Sequence, residues 1–116
     1  MSPSSAALAD CYEVDRVLAA LADPVRRRCV ELLAERPRRA GELAKALGVS
    51  APVMSRHLRV LRSAEVVEEE HPPLDARVRV YSLRAASIAG LKAWLANTEA
   101  GWAQQLSAFK DHVERG

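Results

Sequence analysis

Ser55, Arg56, Arg59 and Arg62 recur at helical spacing on one side of the stretch 51–62. Residues of these types read phosphates and base edges. A guanidinium can grip guanine O6 and N7 with two hydrogen bonds, and a serine hydroxyl serves either a base edge or a phosphate. Met54, Leu58 and Leu61, at offsets 0, 4 and 7, fall on the other side. A helix with an oily face and a serine-and-arginine face can pack on a domain while lying against a nucleic acid. The bland alternative is a surface helix whose arginines are merely solvated.

That helix needs a start and a support, and the sequence supplies both. Ser50 is a good N-cap, and Ala51 and Pro52 fall in the first turn, where the missing proline N–H leaves nothing unsatisfied. Before it, Leu43 and Leu47 share one face of a shorter helix, and Gly48 tolerates the left-handed backbone that ends it. The stretch 41–63 therefore reads as a helix-turn-helix with residues 51–64 as the recognition helix. Arg38 and Arg39 form part of a short link ahead of it, placed to touch a DNA backbone or to stay solvated.

Charge distribution agrees with this reading. Residues 24–63 carry ten basic and three acidic side chains, a net +7, so the remainder carries −5 against a chain total of +2. A basic middle between acidic ends is the footprint of a nucleic-acid face on one side. Arg26, Arg27 and Arg28 begin a helix, where the dipole disfavours cations, so they call for an anion or for first-helix acids. Two cysteines in 116 residues make no disulfide scaffold and fit the cytoplasm. The N-terminus shows no signal peptide, and the longest apolar run, Val17 to Ala22, is too short to span a bilayer. No Gly-rich phosphate loop, metal-ligand set or nucleophile with a base is visible, which argues against an enzyme and predicts no cofactor.

The remaining elements frame a mainly helical domain over residues 1–116. Helices are expected at 6–22, with Cys11, Val14, Leu18 and Leu21 as its stripe, and at 24–35, with Val25, Cys29, Leu32 and Leu33 inward. Strands are expected at 66–71 and 77–83, joined by the turn-rich 72–76. Arg77, Arg79 and Tyr81 share one strand face, Val78 and Val80 the other. The order helix, turn, helix, basic hairpin is that of a winged helix, with 66–83 as the wing. Arg77 and Arg79 there suit a minor groove or a phosphate, or pair with the run Glu68-Glu69-Glu70. Residues 85–114 read as one long helix with an apolar stripe through Leu91, Trp94, Leu95, Trp102, Leu106, Phe109 and Val113. That stripe needs a partner: a second copy, its own domain after folding back, or a break near Gly101.

Several segments together resemble ArsR-type (arsenic-repressor-like) bacterial transcription regulators. They are Ala19 to Arg28 followed by Val30-Glu31-Leu32-Leu33, then Gly41-Glu42-Leu43-Ala44, Ser55 to Leu61, and Arg79-Val80-Tyr81-Ser82-Leu83. The resemblance covers residues 14 to 95. It implies a homodimeric winged helix that represses by binding an inverted-repeat operator in double-stranded DNA. The seam it implies joins the first helix, with Leu8 and Tyr12, to the last, with Leu91, Trp94, Leu95, Trp102, Leu106 and Phe109. In many members an inducer releases the DNA.

The metal-sensing members depart from this chain. The stretch matching their third-helix cysteine pair is Glu42 to Leu47, without a cysteine. The last helix offers only Asp111, His112 and Glu114, of which the adjacent pair diverge by about a hundred degrees. No metal site is expected. For an inducer three options stand: none, a small organic molecule near the aromatic seam, or a thiol oxidant acting on Cys11 or Cys29, although both cysteines lie on apolar stripes and suit simple packing. A winged-helix protein-association module without DNA binding is the other reading of the same fold.

Overall fold

The computed structural model of the chain describes residues 5–71 and 78–115, with side chains from Glu13 onward. Asp23 and Pro24 start the first helix whose cap is visible. The Asp23 carboxylate accepts from the N–H of Val25 at 2.8 Å and of Arg26 at 3.2 Å. The Arg26 N–H holds the Asp23 carboxyl below the ordinary carboxylate range. This opens α2 (Pro24–Glu35), preceded by α1 (Ser5–Ala20). Then come β1 (Arg38–Arg39), α3 (Ala40–Leu47), α4 (Ala51–Ser63), β2 (Val67–Glu70), β3 (Val80–Leu83) and α5 (Ala85–Arg115).

The turn between α3 and α4 is built by Gly48 and Ser50. Gly48 sits at φ 66, and its N–H and that of Val49 return to the Lys45 and Ala44 carbonyls at 3.4 and 3.0 Å. This double closure is a Schellman ending. Ser50 Oγ then accepts the Val53 N–H at 3.3 Å to start α4. A Cβ at Gly48 meets nothing within 4 Å, so a Gly48→Ala variant isolates the backbone strain. It should lose about 1–2 kcal/mol. Chemical denaturation should show a lower midpoint at unchanged slope.

The core gathers one face of α1 to α4 and of the wing: Val17 and Ala20 from α1, Cys29 and Leu33 from α2, Leu43 and Ala44 from α3, Met54, Leu58 and Leu61 from α4, and Val66, Val67 and Tyr81 from the wing. The predicted inner faces of α2 and α4 are those observed. In α1 the face is turned. Val17 and Ala20 are buried, while Leu18 is 38% exposed, because α1 leans on α5 and on the end of α4.

The sheet has three strands in the order β1-β3-β2, all antiparallel. The link expected at 38–40 is instead partly a strand: Arg38 pairs with Tyr81 and Arg39 with Val80. Both hairpin strands are shorter than expected, and Arg77 lies outside the described residues. α5 runs unbroken through Gly101. It is about 46 Å long at the standard helical rise. None of its side chains is buried among the described residues.

The arginines that begin α2 satisfy neither sequence expectation fully. Arg26 Nε donates to the Ala20 carbonyl at 2.6 Å, and Arg27 Nη1 donates to those of Leu21 and Ala22 at 2.9 and 3.1 Å. They answer carbonyls at and just beyond the C-terminal end of α1, where positive charge suits the dipole. Arg28 instead pairs with Glu31 in its own helix at 3.6 Å.

Candidate nucleic-acid interface

α4 is anchored by side chains that are almost fully buried: Met54 at 1%, Leu58 at 2% and Leu61 at 0% exposure. Ser55, Arg56 and Arg59 on the same helix are exposed, as are Ser50, Ala51 and Pro52 at its start. Anchoring and presentation are thus split between two faces of one rigid element.

Ion pairing sorts the basic segment. Arg36 meets Glu42 at 3.3 Å, Arg38 meets Glu35 at 2.6 Å, and Arg62 meets Glu69 at 2.6 Å. With Arg26, Arg27 and Arg28 already engaged, four of the ten cations have no side-chain hydrogen bond or ion pair among the described residues: Arg39, Lys45, Arg56 and Arg59. Each is exposed, and each sits on or beside the helix-turn-helix. Lys45, in α3, had no signal in the sequence beyond its charge.

Arg38 departs from its expected role. Its side chain is only 13% exposed, and its Nε donates to the Leu32 carbonyl at 3.1 Å. It closes the end of α2 and is largely covered. Arg39 beside it is exposed, and its N–H donates to Glu42 Oε1 at 3.5 Å, which starts α3. The backbone N–H of Arg39 holds the Glu42 carboxyl below its ordinary range.

The wing meets the last turn of α4 through Glu69. Its side chain is 5% exposed because β2 alternates: Val67 and Glu69 face inward, with Glu69 opposite Tyr81. Arg79 Nε forms an ion pair with Glu69 Oε1 at 3.1 Å, the cross-hairpin pairing open in the sequence. Between α4 and the wing lies a concavity of about 470 Å³, lined by Ser55, Leu58, Arg59, Arg62, Ser63, Glu69, Arg79 and Tyr81. A second, of about 430 Å³, lies between α1, α5 and the turn after α4, with Arg16, Glu65, Arg84 and Trp94 in its wall.

That turn carries an unforeseen conformation. Glu65 sits at φ 61, and the chain closes with Glu65 N–H to Arg62 O at 3.0 Å and Val66 N–H to Leu61 O at 2.9 Å. It is the Gly48 geometry made with a glutamate. Its carboxylate reaches Arg16 and Arg84, each at 3.9 Å, and ties the end of α4 to α1 and to the start of α5.

Comparison with known proteins fits this architecture. The sequence matches the model for bacterial regulatory protein, arsR family, over residues 23–69. It is 39% identical over 100 residues to the HTH-type transcriptional regulator Rv2034 of Mycobacterium tuberculosis, covering 86% of this chain and 88% of that protein. The chain belongs to the ArsR family. It is a winged helix-turn-helix transcriptional regulator. Another relative is the transcriptional repressor SdpR of Bacillus subtilis, 30% identical, covering 72% of this chain and 90% of that one. Among solved structures, the homodimeric winged helix-turn-helix DNA-binding domain of Mb0332 from Mycobacterium bovis superposes with a TM-score of 0.66. It is 25% identical and covers 90% of this chain and 94% of that one.

Among the described residues no group of three or more His, Cys, Asp or Glu is placed to hold a metal ion, and no helix is long and apolar enough to cross a membrane. Cys29 is 0% exposed, and burial pushes its thiol up to about 11. It packs as a core side chain. At pH 8 its thiolate fraction should fall on the order of a hundredfold below that of an unperturbed cysteine. Alkylation followed by mass spectrometry should leave Cys29 unlabelled in native protein and labelled once denatured. The side chains of Leu8, Cys11 and Tyr12 lie outside those described.

Proposed function

We propose that the chain is a homodimeric repressor that seats the Ser55–Arg56–Arg59 face of α4 in the major groove of each operator half-site. One observation carries this reading. The helix is nailed to the core by Met54, Leu58 and Leu61, while Arg56 and Arg59 stay exposed with every guanidinium donor uncommitted among the described residues. Such arginines can form forked pairs with guanine or with phosphate. Ser50, Ala51 and Pro52 bring the α4 N-terminus toward a backbone phosphate, where its N–H groups favour an anion. Arg39 supports the same face. A homodimeric structural relative, a repressor among the sequence relatives and the basic middle of the chain all support this reading.

The dimer follows from α5. Trp94, Leu95, Trp102, Leu106, Phe109 and Val113 are 39% to 67% exposed, and Leu18 of α1 joins them. A continuous apolar stripe of this size on a helix in water calls for an apolar partner. A second copy offers the same stripe by symmetry. The test is selection of bound duplexes from a random-sequence pool. The expected outcome is an inverted repeat with half-sites about one helical turn apart and steeply salt-dependent affinity. Recovery of no sequence above background would refute the proposal.

A further inference from the structure

Glu69 is the single acidic side chain lining the groove between α4 and the wing among the described residues. On a surface that meets phosphate, Coulomb's law alone says that removing this acid strengthens binding. The geometry points the other way. The carboxylate lies on the groove floor, 5% exposed, while the Arg62 and Arg79 side chains above it stay 62% and 63% exposed. Each oxygen takes one arginine: Oε2 accepts from Arg62 Nη1 at 2.6 Å, and Oε1 pairs with the Arg79 Nε cation at 3.1 Å. The His71 Nε2 stands 3.6 Å from Oε1.

A guanidinium carries five N–H donors in a rigid fork, so an arginine held by one of them keeps the others for a second acceptor. A long side chain already held in place loses less rotamer freedom on binding. Arg59, on the same groove and uncommitted among the described residues, adds a third cation. A competitor for these arginines would need to reach solvent; a buried carboxylate beneath them acts as their mount.

We infer that Glu69 is a positioning residue which fixes Arg62 and Arg79 as forks for one DNA backbone phosphate, seated between the recognition helix and the wing. The inference rests on the DNA-binding reading of α4. It makes an acid in the interface necessary for affinity, without regard to base sequence, because phosphates carry none.

The test uses full-length protein and a mixed-sequence duplex about two helical turns long, read by fluorescence anisotropy across a salt series. Glu69→Gln should weaken binding about three- to tenfold and flatten the salt slope by about one phosphate contact. In an R62A/R79A background the same substitution should weaken nothing further, since the residues it acts through are gone. Glu69→Asp, which keeps the charge but draws it back by one methylene, should weaken binding in the same direction, and it serves if the glutamine variant fails to fold. Unchanged or tighter binding by the folded variants overturns the inference, as does a weakening that persists in the R62A/R79A background. An R56A/R59A protein separates the two ideas. It should lose operator preference yet keep the Glu69 effect on the mixed duplex. A wild-type protein that binds no duplex at any salt refutes both.

Discussion

Replacing Arg56 and Arg59 together with alanine is expected to lower affinity for the selected operator at least about a hundredfold, given about 1–3 kcal/mol for each forked arginine–guanine pair. The fold should not notice. Both side chains are exposed and make no hydrogen bond or ion pair among the described residues, so the thermal midpoint and helical content should match wild type. Residual binding should come from backbone contacts and remain salt-dependent, because Arg39, Lys45 and the α4 N-terminus are untouched. Gel shifts with operator and with scrambled duplex measure the two components. Operator affinity retained in the double variant would remove α4 as the reading element. A single Leu61→Ala change is the contrasting control. That side chain is 0% exposed, so its loss should act through stability, by about 2–5 kcal/mol, before any effect on recognition.

A Trp102→Glu/Phe109→Glu variant should turn the dimer into a monomer. Both side chains are more than 60% exposed in the isolated chain, so the change costs the monomer little. In a symmetric dimer each substitution appears twice and puts a charge where apolar surface was covered. Each large side chain removed from a buried seam is worth about 1.5–3 kcal/mol before the charge is counted. The dimer dissociation constant should rise by at least about three orders of magnitude. Analytical ultracentrifugation reads the mass, and a gel shift should show the inverted repeat reduced to half-site affinity. The distal part of α5 should also lose helicity, since a helix of that length held by few contacts is marginal in water. A dimer that survives both charges would place the seam elsewhere on the chain.

Glu65 links the two predictions. It holds a left-handed backbone at the end of the recognition helix, and its carboxylate is shared between Arg16 of α1 and Arg84 at the start of α5. The helices proposed for the seam are therefore tied to the last turn of α4 by one residue. Each of its ion pairs is exposed and loose, so their effect is on the placement of the turn rather than on stability.

What was legible in the chain follows a physical division. Asp23 with Pro24, Gly48, and Ser50 with Pro52 act on backbone groups within a few residues, so the boundaries of α2, α3 and α4 could be placed from sequence to within a residue. The oily stripe of α4 and the burial of Cys29 followed from helical period alone. The long last helix was equally plain. Four features were not legible: the two-residue strand at Arg38–Arg39, the withdrawal of Arg38 from the surface, the glutamate conformation that ends α4, and the sinking of Glu69 beneath two arginines. The strand depends on Tyr81 and Val80, far along the chain, and the placement of Glu69 on arginines from another helix and another strand. Glu65 lacks the glycine that marks such a turn elsewhere. The sequence by itself determined which helix could read DNA, because amphipathic period and capping are local. Only the tertiary structure decided which of ten cations remain available to do so, because ion pairing and burial are settled by neighbours that the folded chain brings together.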